Sequence, residues 1–372
     1  MISQIDVVTR QLPLLQFQAM GGGSAEKWQE SVFIRVSTPE GHTGVGEASA
    51  WPLFGGHSAH GHHIALTELF APVLLGFDER EWAGLEGRLN AVVRGNRLAK
   101  AAVETAVLDL LARQRNEPLH TVFGGRSDFE LGLSYSVSLQ DLGAEREVVR
   151  GLYEDGYRAF KLKAGVLTPE DDVRRLLALR ETCPQARLRL DYNEGASDAH
   201  LRAILGPARE VAVEYCEQPY PVGQERRLER LREWFDVPIS LDESVAATQD
   251  LLRVAESKLC EYVSVKFSKV GGLLAAVRIA GLATELGITP YVGSQSETRL
   301  GVSAALAAMS AVDGLAYGSD FYFPYLIVDD TEIVGGPRRT RGHLGLPAGP
   351  GHGCTVPDSW WDGPRSDRLT LR

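Results

Sequence analysis

The chain of 372 residues is 44% hydrophobic and 24% charged, the balance of a globular protein with room for one large domain or two. A formal net charge of −10 argues against nucleic-acid and anionic membrane partners, because both want a basic face. No apolar run approaches a membrane span, and the start MISQIDVVTR has no signal-peptide pattern. Cys183, Cys216, Cys260 and Cys354 are far apart with no CxxC pair, which fits a reducing cytoplasm.

The first third reads as α+β. ESVFIRVSTPEGHTGVGEAS alternates through Val32, Ile34 and Val36, turns, and returns as a hairpin. Three helical stretches follow: HHIALTELFAPVLLG, EREWAGLEGRLNAVVRG and the Ala/Leu-rich NRLAKAAVETAVLDLLARQRNEPL. From about residue 131 short apolar strands alternate with charged amphipathic helices. LGLSYSVSL, YRAFKLKAG, ARLRLDYNEG, VAVEYCEQP, VPISLDES, YVSVKFSKVGG, TPYVGSQSE and GLAYGSDFYF give eight strands at helix-sized intervals, the rhythm of a closed parallel barrel. A Gly/Pro-rich tail, GPRRTRGHLGLPAGPGHG, predicts an ordered return across the surface.

YRAFKLKAG holds two lysines, Lys161 and Lys163, on one face of a strand that is otherwise apolar. Burying one ammonium is costly, and burying two together is worse. The strand ends that follow carry Asp191, Glu217, Asp242 and Lys266, at successive intervals of 28, 26, 25 and 24 residues from Lys163. One strand–helix unit occupies roughly 25–30 residues, so the series places one ionisable group on the same rim of each successive strand. Strand phase agrees: Ser264, Lys266 and Ser268 alternate against Val263, Val265 and Phe267, and Asp191 shares a face with Asn193.

Three carboxylates without His or Cys make a hard-oxygen site, suited to Mg²⁺ or Mn²⁺. A general-base lysine needs a pKa near 7–8 instead of about 10.4, a fall worth about 4 kcal/mol. Burial, a neighbouring ammonium and a metal charge all push that way, so Lys161 is expected to tune Lys163. Blander readings stand beside this one. A strand lysine is commonly an edge or snorkelling residue, and a strand-end carboxylate, Asp242 above all, often caps the next helix. Lys269 reads as a loop charge, and Glu214 and Glu243 as structural groups.

KxK on the second barrel strand, then Asp, Glu, Asp and Lys on the next four, resembles the enolase superfamily and, within it, the muconate lactonizing enzyme subgroup. AKAAVETAVLDLLARQRNEPLHTVFGG, FKLKAG, VEYCEQP, LDES and VKFSKVGG carry the likeness over nearly the whole chain. The fold it implies is α/β: a modified TIM barrel, (β/α)7β, over 129–344, with an N-terminal α+β capping domain over 1–128 that the tail from about 345 to 372 joins. It implies Asp191, Glu217 and Asp242 as ligands of Mg²⁺, with Lys163 and Lys266 as acid and base on opposite faces of a small carboxylate substrate. A proton α to the carboxylate would move through an enolate anion stabilised by the metal, since such sites pair a Lys or His base with Mg²⁺. The mandelate racemase branch would place a His on the seventh strand, and no histidine lies between His200 and His343.

Two capping-domain loops and the later strands set specificity in the family. QFQAMGGGSAEKW has a triple glycine suited to a mobile lid. In ASAWPLFGGHSAHGHH, His57, His60, His62 and His63 lack rigid metal-site spacing and read as surface or lid residues. On the seventh strand Glu297 matches a glutamate of the lactonizing enzymes, with Ser294 and Gln295 as further substrate contacts. The eighth strand offers Asp320 in place of the paired aspartates of dipeptide epimerases. A muconate-type cycloisomerase is the favoured reading, ahead of an N-acylamino acid racemase, an o-succinylbenzoate synthase or a dipeptide epimerase. Outside the superfamily, a Schiff-base lysine aldolase and a non-catalytic barrel are the alternatives; the intact five-residue series disfavours both. Barrels of this kind often form homo-oligomers, which is expected here by analogy.

Overall fold

A computed structural model describes residues 1–14, 19–20, 23–24, 28–52, 58–137, 141–322 and 332–371. The expected hairpin is present: β2 (Trp28–Ser37) pairs antiparallel with β3 (Thr43–Ala50). β2 also pairs along its whole length with β1 (Gln4–Pro13), a strand that sequence reading did not mark. Val32, Ile34 and Val36 alternate onto the face covered by the cap's helices. Phe33, on the other face, packs with Trp360 and Trp361 from the tail. The sheet is therefore buried on both sides.

Helical segments run from Ala59–Ile64 through a π-type stretch, Ala65–Phe70, to Ala71–Leu74. The long helix α1 (Arg97–Gln114) is buried nearly all round because it serves two cores. Ala99, Ala102, Val103, Ala106 and Val107 belong to the cap core, while Ala101, Leu108 and Ala112 belong to the barrel core. Small residues let it lie close on β3. A Cβ on Gly46 would fall 1.9 Å from the Ala102 carbonyl oxygen, and one on Gly44 would fall 2.1 Å from that of Ala106.

The barrel strands are β4 (Ser134–Val137), β5 (Ala159–Lys163), β6 (Arg187–Asp191), β7 (Val213–Glu217), β8 (Ile239–Leu241), β9 (Tyr262–Val265) and β10 (Thr289–Val292). They form one parallel sheet in sequence order. Helices α2 (Leu142–Glu154), α3 (Pro169–Thr182), α4 (Asp198–Glu210), α5 (Glu225–Arg232), α6 (Thr248–Glu256), α7 (Leu273–Glu285) and α8 (Arg299–Met309) follow the strands in turn. The expected eighth strand is a short irregular segment that closes the ring. The Ala316 and Asp320 amides donate to the Pro290 and Val292 carbonyls of β10. On the other side the Ser319 amide donates to the Gly132 carbonyl, and the Ser134 amide to that of Ser319. This is the (β/α)7β barrel with a strand-rich N-terminal cap.

The tail returns as expected. His343–Gly345 pairs with Glu130–Gly132, and β11 (Ser366–Thr370) pairs antiparallel with Gln4–Val8 of β1, completing a four-stranded cap sheet. No helix among the described residues is long and apolar enough to cross a membrane. All four cysteines are free and buried.

Candidate active site

Inward-facing positions of β5, β6 and β7 fall in register: Lys163 lies opposite Asp191, and Asp191 opposite Glu217. The ring then climbs. Glu217 lies opposite Ser240, two residues before Asp242, and Leu241 lies opposite Val263, three residues before Lys266. The series is thus level across three strands and stepped across the next two, the stagger that closing a barrel imposes. β9 ends at Val265, so Lys266 leads into a short helix, Phe267–Val270, and Ser268 is not on the strand.

Both strand lysines are buried, Lys161 at 2% and Lys163 at 1% exposure, so neither is an edge or snorkelling residue. Lys163 Nζ donates to Asp191 Oδ2 at 2.7 Å and to Asn193 Oδ1 at 2.8 Å. Lys161 Nζ donates to Glu217 Oε2 at 2.9 Å, lies 3.3 Å from Asp191 Oδ2, and is also bonded to Asp320. On the far wall Lys266 Nζ lies 2.6 Å from Asp242 Oδ2. Asp242 caps no helix, since its carboxylate is taken by Lys266 and by Lys269 at 2.7 Å. Lys269, read as a loop charge, is instead largely withdrawn from solvent and also donates to the Ser264 carbonyl at 2.9 Å. Glu214 is structural, as expected, bonding Arg187 and the fully buried Arg189 in the barrel floor.

These pairings reverse one electrostatic expectation. Burial, the largest influence, disfavours the Lys163 ammonium, and so does Lys161, but the charge and hydrogen bond of Asp191 lead the opposing influences that hold it above the ordinary lysine value. Burial likewise opposes charge on Lys161 and Lys266, and the carboxylates of Asp320 and Glu217, and of Asp242, hold them up. Sequence spacing showed the two lysines side by side; it did not show that each has an anion within hydrogen-bond reach. The carboxylates remain crowded. Burial, then Asp191 and Asp320, push Glu217 up to about 7 against the pull of Lys161. Burial, then Asp242 and Asp191, push Glu243 up to about 8.

One narrow cavity brings together Lys161, Lys163, Asp191, Asn193, Lys266, Ser294, Gln295 and Asp320, with Trp51, Ser296 and Tyr322. Ser294, Gln295 and Asn193, the expected substrate contacts, thus share a cavity with the lysines. Glu297 does not line it. Its carboxylate accepts from Ser268 Oγ at 2.6 Å, Ser294 Oγ at 2.5 Å and the Gln295 amide at 2.8 Å, which holds the turn that presents the other two. Gly293 is required behind Lys266: a Cβ there would lie 2.8 Å from Lys266 Cγ. Trp51 and Tyr322 were missed. Both lie in segments the sequence marks, but an aromatic beside a loop carries no signal of which way it faces.

Much of the first expected lid loop, and His57, lie outside the described residues. His63 is tied within the cap, to Thr9 Oγ1 at 2.9 Å and Asp367 Oδ2 at 2.6 Å, and His62 is buried. Among the described residues no three His, Cys, Asp or Glu side chains are drawn together around a common point, because lysine ammoniums stand between the barrel carboxylates. The donor chemistry nevertheless fits a hard dication. Asp191, Glu217 and Asp242 are all oxygen donors at one barrel mouth, and Glu243 Oε2 and Asp320 Oδ1 are buried there without a hydrogen-bond partner.

A parallel barrel with lysines and carboxylates on its C-terminal rim, roofed by a cap that reaches the seventh-strand loop, defines a class of barrel enzymes working beside a carboxylate cluster. Residues 5–124 match the family described as mandelate racemase / muconate lactonizing enzyme, N-terminal domain, and residues 144–360 match enolase C-terminal domain-like. The chain belongs to the enolase superfamily, in its muconate lactonizing enzyme subgroup, and is an enzyme of isomerase type. A chloromuconate cycloisomerase of Cupriavidus pinatubonensis is 31% identical over 353 residues, 94% of each chain. Muconate cycloisomerase 1 of Rhodococcus opacus is 31% identical over 335 residues, 88% of this chain and 89% of that one. Among solved structures, a dipeptide epimerase from Cytophaga hutchinsonii complexed with Mg and D-Ala-L-Val superposes with a TM-score of 0.91 at 26% identity, covering 99% of this chain and 100% of that one.

Proposed function

We propose that the protein is a metal-dependent cycloisomerase of the muconate type, acting on a small dicarboxylate by proton transfer at the carbon α to one carboxylate. The observation that carries this reading is the placement of Lys163 and Lys266. They lie at the C-terminal ends of strands half a barrel apart and line one cavity, with Asp191, Glu217 and Asp242 at the ends of the strands between. Mg²⁺ or Mn²⁺ held by those three carboxylates would supply the positive charge that stabilises the anion formed when the α-carbon loses or awaits its proton. In lactone formation one substrate carboxylate oxygen adds across the conjugated double bond. A lysine Nζ then delivers a proton to the carbon beside the other carboxylate, and the reverse reaction removes it. Lys163 and Lys266 are the candidate proton carriers, one for each face of the substrate. Lys161 holds Asp191, Glu217 and Asp320 in place around them. Asn193, Ser294 and Gln295 orient the substrate, and Glu297 fixes the turn bearing the last two. A homo-oligomer is the assembly expected by analogy.

An N-acylamino acid racemase or dipeptide epimerase is the second reading, favoured by the likeness to the Cytophaga epimerase. Against it, Asp320 is the carboxylate that the closing segment contributes to the cavity among the described residues, and Lys161 engages it, leaving no free aspartate pair for a substrate ammonium.

The test is a screen of muconates, N-succinylamino acids and dipeptides in D₂O with Mg²⁺, following lactone formation and α-proton exchange. Lactone from a muconate is expected, with Lys163→Ala and Lys266→Ala each lowering the rate by about 10²–10⁴-fold and metal removal abolishing it. Full exchange in either lysine variant would overturn the assignment. Racemisation without lactone formation would establish the second reading.

A further inference from the structure

A cavity far roomier than the one holding the lysines lies elsewhere on the molecule. It is an opening of about 690 Å³ on the seam where the cap's Arg94, Arg97 and Lys100 face Gln249, Val270 and Arg278 of the barrel. A second cavity, of about 300 Å³, shares Gly95 and Arg97 with it and extends inward to Asp242, Lys266 and Gln295. Lys266 and Gln295 also line the site, and Glu194, Glu243 and Lys269 complete the charged lining of this second cavity, which thus shares walls with both the seam and the lysines.

The outer cavity has an unusual charge. Lys100 is only 6% exposed, yet its Nζ donates only to neutral oxygens, Asn90 Oδ1 at 2.6 Å and the Val93 carbonyl at 2.7 Å. Among the described residues no carboxylate forms an ion pair with it. An ammonium has three N–H donors, and burying one without an anion is costly. Arg94 and Arg97 form no ion pair among the described residues either. Arg278 meets only Glu86, at 3.3–3.4 Å. Of the lining carboxylates, Glu104 is turned to the start of α7, accepting from the Leu274 amide at 3.2 Å. Four cations thus face two carboxylates here, in a chain whose formal net charge is −10. Such a pocket concentrates small anions.

We propose that the seam cavity is a second binding site for a small dicarboxylate, an ante-site from which the dianion passes Arg97 to reach the lysines. The ligand class rests on the reading under Proposed function; the existence of the anion site does not. Arg94, Arg97 and Lys100 hold one carboxylate end, and Arg278 faces the other across the seam.

The probe is adipate, a saturated six-carbon dicarboxylate that cannot lactonize, titrated by equilibrium dialysis into the Mg²⁺-loaded enzyme. One adipate per chain is expected to be lost, or weakened by about tenfold or more, in Arg94→Gln/Arg97→Gln relative to wild type. Arg150→Gln, an exposed arginine elsewhere, should leave both stoichiometry and affinity unchanged. If the muconate reading is wrong the inner site takes no adipate, and the change is from one bound to none instead of from two to one. The drop of one is the signal in either case. Equal adipate binding in wild type and the double variant, with both folded by thermal melt, overturns the proposal. So does displacement of the seam adipate by equimolar inorganic phosphate, which would make it a general anion site, or a change in oligomeric state of the double variant without a change in adipate binding.

Discussion

Lys161 and Lys163 are two residues apart and serve different anions, and that division depends on how firmly the strand end is held. Behind it, Arg175 donates to the Lys163 carbonyl at 2.9 Å and pairs with Glu145 and Asp172, while Asp172 accepts from the Gly165 amide at 2.7 Å. All three charged groups are buried. Removing the guanidinium strands two carboxylates, so Arg175→Met should cost about 3–5 kcal/mol in urea unfolding, and a loss under about 1 kcal/mol would contradict this account. Gly293→Ala should act mainly on turnover. Its Cβ would lie 2.6 Å from the buried Ser264 Oγ and 2.8 Å from Lys266 Cγ, so it overpacks the site: kcat should fall by about 10²-fold while stability falls by only about 1–3 kcal/mol. The lysines and carboxylates were legible because a barrel repeats its strand–helix unit and so numbers its rim. Lys269 was not, because its burial depends on a short helix turning back over Asp242. The anions that keep the lysines charged were hidden for a related reason: spacing reports which strand a group is on, but not which neighbour its side chain chooses.

At the scale of elements, the cap holds the site's roof through two neighbouring strands. Glu47 of β3 accepts from the Thr298 amide at 3.0 Å and its hydroxyl at 2.6 Å, at the start of α8, and Gln29 of β2 donates to the Ser296 carbonyl at 2.8 Å. Burial pushes the Glu47 carboxyl up to about 7, against the bonds from Thr298. The folded chain therefore keeps a proton that the unfolded chain releases near the ordinary value of 4.5. This contribution to stability is full below pH 4.5 and is lost as the pH rises to about 7, a change of about 3 kcal/mol. Glu47→Gln should flatten unfolding free energy against pH across that window; an unchanged slope would show that Glu47 ionises normally in the fold. The hairpin and α1 were readable from alternation and from Ala/Leu content. β1 and β11 were not, since neither alternates strongly and β11 is defined by a partner at the other end of the sequence.

At the scale of the whole molecule, the enzyme is two cores sharing α1, with the candidate metal ligands in the barrel and part of the roof supplied by the cap. A ligand that binds only the folded barrel mouth stabilises the whole chain by mass action, by about 2.7 kcal/mol at a hundred times Kd. Mg²⁺ or Mn²⁺ should therefore raise the melting temperature, chelation should lower it, and Asp191→Asn, Glu217→Gln and Asp242→Asn should each remove the response. A shift that survives all three would place the ion elsewhere.

The pairing of Gln4 with Thr370 also sets an order of events during synthesis. β1 leaves the ribosome before the barrel, with one edge open for the strand that will be translated after the barrel is complete. Until β11 arrives, the Gln4–Val8 edge is an unpaired row of amides and carbonyls, open to pairing with another chain. The barrel can close in the meantime, since the segment that joins its last strand to its first ends at Asp320, but the cap sheet waits. Translation that stalls or stops before residue 366 would leave a chain with its rim of lysines and carboxylates in place under an incomplete cap sheet, and with an exposed edge that favours aggregation over turnover.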